Sequence, residues 1–126
     1  MRISRAAELA GVPTHVLRHW EDELLLRPER RAGNQRDYTR DQVDQAVIIR
    51  RLRLAGVGIP TLRQLLAAPA AERGAILAAV AERLEREATQ AHSAAQFLRH
   101  TMSCSHAVIE ECPQCRRYAQ DGPGER

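Results

Sequence analysis

Apolar positions recur at helical spacing along most of this chain. Near the N-terminus, Ser4 is placed to cap a short helix that carries Ala6, Ala7, Leu9 and Ala10. Gly11 then supplies a turn, and Pro13 suits the start of a second helix. That second helix is expected over residues 14–24, with Val16, Leu17, Trp20 and Leu24 on one face at spacings of three and four. Two short helices around a Gly-containing turn form a helix-turn-helix pattern, although any helical hairpin would give the same signal.

The helical pattern stops between Leu26 and Tyr38. Pro28 stands early in this stretch and Gly33-Asn34 late, so it reads as a small hairpin or wing. Arg27, Arg30, Arg31 and Arg36 lie within it. On an exposed turn they form a patch suited to phosphates; taken alone, such a cluster is as well explained as a solvated loop. A third helix opens at Thr39-Arg40-Asp41-Gln42, a capping box. Its apolar residues do not fit one narrow stripe. Val43, Ala46 and Val47 run into Arg50 and Arg51, while Ile48, Ile49, Leu52 and Ala55 form a second stripe. A broad buried face is expected, with the register open. Gly56 serves as the C-cap, a short helix follows from Thr61 to Ala67, and Pro69 closes it.

From Ala70 to Ser103 there is no proline, and Gly74 is the one weak point. At ~1.5 Å per residue this helix is on the order of 50 Å long. Leu77, Leu84, Ala91 and Leu98 recur every seven residues, and Ala81, Ala88, Ala95 and Met102 do the same four residues further on. A Leu/Ala heptad seam indicates a coiled coil, and with one copy per chain the partner must be a second chain. A single amphipathic helix lying on its own domain is the alternative. The expected organisation is a head over 1–69, a dimerisation helix over 70–103, a Cys/His-rich tail over 104–118 and a disordered end over 119–126. The fold class is mainly α.

Composition narrows the function. At 126 residues the chain has room for one small domain and an appended element, not for a large α/β enzyme core. Aromatics are 3% (Trp20, Tyr38, Phe97 and Tyr118), and the apolar content is mostly Ala, Leu and Val, which favours helices over sheets. The net charge of +3 is ordinary until the chain is divided: residues 1–55 hold 11 Arg against 8 acids, while residues 56–126 hold 8 of each. Every basic Lys/Arg position is Arg, which a G- and C-rich genome explains as readily as function does. There is no membrane-length apolar run and no signal-peptide pattern, so a cytoplasmic protein with reduced thiols is expected. Paired carboxylates, a Ser/His/Asp set and a Gly-rich phosphate loop are all missing at useful spacing, so no enzyme is expected.

Several of these motifs, in this order, resemble the MerR family of transcriptional regulators. The resemblance rests on Ile3-Ser4-Arg5-Ala6-Ala7-Glu8-Leu9-Ala10-Gly11-Val12, Leu17-Arg18-His19-Trp20-Glu21, Leu25-Leu26-Arg27-Pro28, Gly33-Asn34-Gln35-Arg36-Asp37-Tyr38 and Ile49-Arg50-Arg51-Leu52-Arg53-Leu54-Ala55-Gly56. It covers residues 1 to about 67, followed by the long helix where the family dimerises. His19-Trp20 replaces the family's usual tyrosine pair, and Pro13 stands where a Ser cap is common. The resemblance implies a winged helix-turn-helix on an antiparallel coiled-coil homodimer. It implies that Thr14, His15 and Arg18 face the major groove, that the change at His19 bears on a backbone contact, and that the wing, including Arg36 and Tyr38, grips phosphates, with Arg27 and Arg31 of the arginine patch counted among the DNA-binding residues. Two such heads would read a pseudo-palindromic promoter in double-stranded DNA and, as in similar members, distort it for RNA polymerase.

The tail carries Cys104, His106, Cys112 and Cys115, four soft or borderline donors sufficient for a closed tetrahedral zinc site. Cys112-x-x-Cys115 has a common chelating spacing, and His100 is an alternative ligand one helical turn before Cys104. The resemblance adds two readings. Copper(I)-sensing members carry two Cys separated by seven residues with Pro after the second, as Cys104, Cys112 and Pro113 are here. Iron–sulfur members space their last three ligands as Cys104, His106 and Cys112 are spaced, but this chain has Thr101 where the first would stand. Divalent-metal sensors that use a Cys at the start of the long helix are a poorer match, because residues 68–76 contain none. Zinc, copper(I) and an iron–sulfur cluster all stay open. So do a purely structural zinc and a thiol-disulfide role for Cys112 and Cys115.

Overall fold

A computed structural model describes residues 1–106 and 111–121. The chain divides into two compact units, Met1–Val80 and Ala81–Arg126.

The first unit opens with α1 (Ile3–Ala10) and α2 (Thr14–Asp22). Alanine spacing gives α1 its buried side, Ala6, Ala7 and Ala10, while α2 buries Leu17 and Trp20. Gly11 joins them at φ +77°, with its N–H on Ala7 and Glu8 and the Val12 N–H on Ala7. This is the left-handed helix end that glycine adopts without a Cβ penalty. The same hydrogen-bond pattern ends α2, where Leu24 takes the left-handed position at φ +64°.

The wing is a two-stranded antiparallel ribbon, β1 (Glu29–Arg31) and β2 (Gln35–Asp37), in the register Glu29↔Asp37, Arg30↔Arg36 and Arg31↔Gln35. Its turn, Ala32–Asn34, uses positive φ at Gly33 and Asn34, as the Gly-Asn pair predicts. The first residue is tied to the ribbon's end: the Met1 ammonium donates to Asp37 and to the Tyr38 carbonyl, and the Tyr38 N–H donates to Met1.

α3 (Arg40–Leu54) starts on the Thr39/Gln42 capping box, with both reciprocal hydrogen bonds formed. Its register is now fixed. Val43, Ala46 and Ile49 are buried, whereas Ile48 and Leu54 are 58% and 77% exposed. α1 packs on both α2 and α3, so the head's core is built from Leu17, Trp20, Leu25, Leu26, Tyr38 and Val57 around the alanines. α4 (Ile59–Ala67) adds Leu62.

α5 runs as one helix from Ala70 to Thr101 and buries none of its residues in the single chain. The heptad positions Leu77 and Leu98 are 50% and 61% exposed. Beyond it, the structure departs from the expected tail. Pro113–Gln120 forms a helix, α6, with Cys112 at its N-cap and Pro113 in its first turn. Ala119 and Gln120 therefore belong to a helix and not to a disordered end; residues 122–126 of that expectation lie outside the described residues.

Candidate functional site

Two constellations stand out, one in each unit. In the first, burial of Leu17 and Trp20 fixes the orientation of α2 and turns His15, Arg18 and His19 outward, with Thr14 half-buried at the helix start. All four lie on or beside one face, and among the described residues none of them forms an ion pair. Arg27 and Arg31 are exposed as well.

The wing arginines are less free than a bare patch would be. Glu21, on α2, accepts Arg30 on one carboxylate oxygen and the Arg36 Nε on the other at 2.7 Å. This contact raises the Arg36 guanidinium above its ordinary pKa, the Glu21 hydrogen bond being the main cause. Arg31 pairs with Asp37 at 2.9 Å yet stays 71% exposed. Glu21 was not expected as a site residue, and Arg30 was expected only as one member of the arginine patch. The signal for Glu21 lay in the pairing of two arginines directly across a short ribbon, a like-charge contact that a nearby acid relieves.

Tyr38 is not where the resemblance puts it. It is 1% exposed and sits in the core, with its hydroxyl buried and without a hydrogen-bond partner. Burial raises its pKa. The Tyr38 N–H is held by Met1 just after β2, and the ring turns inward under the wing. A phosphate cannot reach that hydroxyl in this arrangement.

In the second unit, the end of α5, the turn after it and the start of α6 bring together His100, Cys104, Cys112 and Cys115. Their donor atoms all lie within 4.8 Å of one another. The His100 Nε2 stands 3.1 Å from the Cys112 Sγ, and the Sγ atoms of Cys104 and Cys112 are 3.6 Å apart. His106, the expected fourth donor, is not in this group. It is exposed, with Nδ1 at 3.6 Å from the Cys104 Sγ alone. The reason is local. His100 still belongs to the last turn of α5 and stands against Cys112 at the start of α6, whereas His106 follows Cys104 by two residues on a segment outside any helix or strand. A stacked ring pair, Phe97 on Tyr118 with centroids 4.4 Å apart, holds α6 against α5 one helical turn earlier.

The two helix thiols of the cluster are polarised in opposite senses. Cys112 is lowered to about 6, first by the Cys115 backbone N–H and then by His100 and Cys104, against the effect of burial. Cys115 is raised to about 11, by burial first and by the neighbouring Cys112 and Cys104 next. One thiolate is thus available at neutral pH beside two further sulfurs and an imidazole. At a Zn–S distance of about 2.3 Å, two sulfurs of a tetrahedron stand about 3.8 Å apart, so this donor set fits one thiophilic ion.

A winged helix-turn-helix head followed by a long helix defines a class, the DNA-binding transcriptional regulators. The chain belongs to the MerR family: residues 1–69 match the family described as MerR HTH family regulatory protein. Over 67 residues it is 39% identical to the HTH-type transcriptional regulator HmrR of Rhizobium leguminosarum bv. viciae, a match that covers 53% of this chain and 52% of that protein. The chain thus spans about half the length of the curated relative it matches. Among solved structures, a MerR-family regulator from Listeria monocytogenes superposes with a TM-score of 0.74 at 20% identity, over 81% of this chain and 83% of that one. MtaN, the N-terminus of the Bacillus subtilis multidrug transporter activator, gives 0.59 at 21% identity, over 81% and 97%. These two establish the fold. The transcription regulator PbrR691 from Ralstonia metallidurans CH34, in complex with lead(II), gives 0.56 at 25% identity, over 92% and 97%. Among the described residues, no helix is long and apolar enough to cross a membrane.

Proposed function

We propose that this MerR-family regulator is metal-responsive, and that His100, Cys104, Cys112 and Cys115 hold one soft or borderline metal ion per chain. The convergence of these four donors within 4.8 Å carries the reading. Zinc is the ion the set suits best, because three thiols and an imidazole close a tetrahedron with no position left for water. Copper(I) sites need fewer donors, and an iron–sulfur cluster spreads its ligands over two irons, which separates them further. That PbrR691 was crystallised with lead(II), another thiophilic ion, supports a metal reading of this chain. A bound ion supplies charge neutralisation for the thiolates and a fixed link between the end of α5 and α6. The chain's own residues supply the rest: Cys112 enters ionised, and the Phe97–Tyr118 stack orients α6.

In this reading the protein is a homodimer joined through the exposed Leu/Ala seam of α5, with Thr14, His15 and Arg18 toward the major groove of a pseudo-palindromic promoter and His19 beside its backbone. Arg27 and Arg31 contact phosphates, and regulation proceeds through promoter distortion beneath RNA polymerase.

The test is metal content and absorption of protein purified without air, beside single variants. One colourless metal ion per chain is expected, lost in Cys112→Ser. His100→Ala should weaken binding by at least the ~10-fold that even an outer-shell change costs, and His106→Ala should leave it nearly unchanged. Visible bands with iron and sulfide would replace this reading with a cluster; absence of any bound or acquired metal would remove it.

A further inference from the structure

We propose that Glu21 is a positioning residue for DNA specificity: it fixes the wing against α2 and withholds Arg30 and Arg36 from indiscriminate phosphate contact. The inference rests on the reading that α2 and the wing straddle DNA. Three observations carry it. Arg30 and Arg36 are register partners, so two like charges stand directly opposite each other on a ribbon only three residues long. Such a pair repels unless an acid stands between. Glu21 is that acid, one oxygen to each guanidinium, with its side chain only 13% exposed. Arg30 also donates to the Asn34 carbonyl in the wing turn, so the same side chain links α2, β1 and the turn.

Glu21 lies beside buried Trp20 and one helical turn after Arg18. It therefore joins the helix expected to read base edges to the element expected to rest on the backbone. A fixed separation between the two admits one register and one groove shape, which is how contacts that read no base still discriminate between sequences. Without Glu21 the wing loses that separation, and two arginines are released toward any phosphate. Sequence-independent binding then gains while site-specific binding loses.

The experiment uses the full chain and two duplexes of equal length: one enriched by the unmodified protein from a random-sequence library, the other random. Affinity for each is measured over a range of potassium chloride concentrations. For Glu21→Gln, the ratio of specific to random affinity should fall by about tenfold, the size of one lost discriminating contact. The salt slope on random DNA should steepen by about 1 to 2, one increment of about 0.9 for each released arginine. The double variant Arg30→Met/Arg36→Met should also lose the ratio but without steepening, which keeps the proposal testable if Glu21→Gln folds poorly. Parallel loss of both affinities with an unchanged slope would reduce Glu21 to a purely structural role and overturn the proposal. A ratio unchanged within twofold would overturn it too. Failure of the unmodified protein to enrich any sequence would instead overturn the DNA reading, and this proposal with it.

Discussion

The hydroxyl of Tyr38 is buried without a partner, where a phosphate contact was expected from the resemblance. A phenol without its hydroxyl would fill the same space and leave no polar atom stranded. Tyr38→Phe is therefore expected to be neutral or to stabilise the head by up to about 1 kcal/mol in thermal unfolding, with DNA affinity unchanged. Asp37, its neighbour, accepts from the Met1 ammonium and then from Arg31, and these hold its carboxyl below the ordinary range. Because the folded value is the lower one, its contribution is full above the unfolded carboxyl range near pH 4 and is lost as pH falls through the folded value. Asp37→Asn should therefore lower the unfolding midpoint at neutral pH, with the gap to the unmodified protein closing in acid. Single residues were the least legible scale. The Cys spacing announced the cluster, but the choice of His100 over His106 depends on which imidazole faces α6, which spacing alone does not encode.

Among the elements, those with strong local signals were readable in advance. The Gly11 turn, the Thr39 capping box and the Gly33-Asn34 hairpin each rest on backbone chemistry within a few residues. α3 was readable as a helix but not in register, because its two apolar stripes overlap and only packing against α1 selects Val43, Ala46 and Ile49. α6 was missed for a related reason. Eight mostly polar residues hold a helix weakly by themselves. What holds them is tertiary: the Phe97–Tyr118 stack and the donors at the N-cap and first turn. In the metal reading, removing the ion should therefore release α6 more than any other element. Amide exchange is expected to rise within residues 113–120 on chelation, by about tenfold or more, while α1 to α3 stay protected. Equal protection with and without metal would show that α6 stands on its own packing.

For the molecule as a whole, the division of labour is visible in both charge and exposure. The arginine excess lies in residues 1–55, which hold the side chains proposed to face DNA, and the described thiols lie beyond residue 100. Between them α5 buries nothing in the single chain, and its seam residues Leu77 and Leu98 stay half or more exposed. A stripe of that length requires cover. The dimer reading predicts that Leu84→Arg shifts the protein toward monomer in light scattering and weakens binding to a two-half-site duplex by at least about tenfold, through the lost second contact. An unchanged mass would place the cover elsewhere.

The central claim is that the Cys/His cluster governs regulation by the head. The most direct measurement is transcription in vitro from a promoter carrying the enriched duplex, with purified polymerase, in the presence and absence of zinc. The unmodified protein should change transcript output several-fold on zinc addition. Cys112→Ser, bound to the same promoter with affinity close to that of the unmodified protein, should give one output under both conditions. Identical responses from the two proteins, or no response from a fully metal-loaded unmodified protein, would contradict the account.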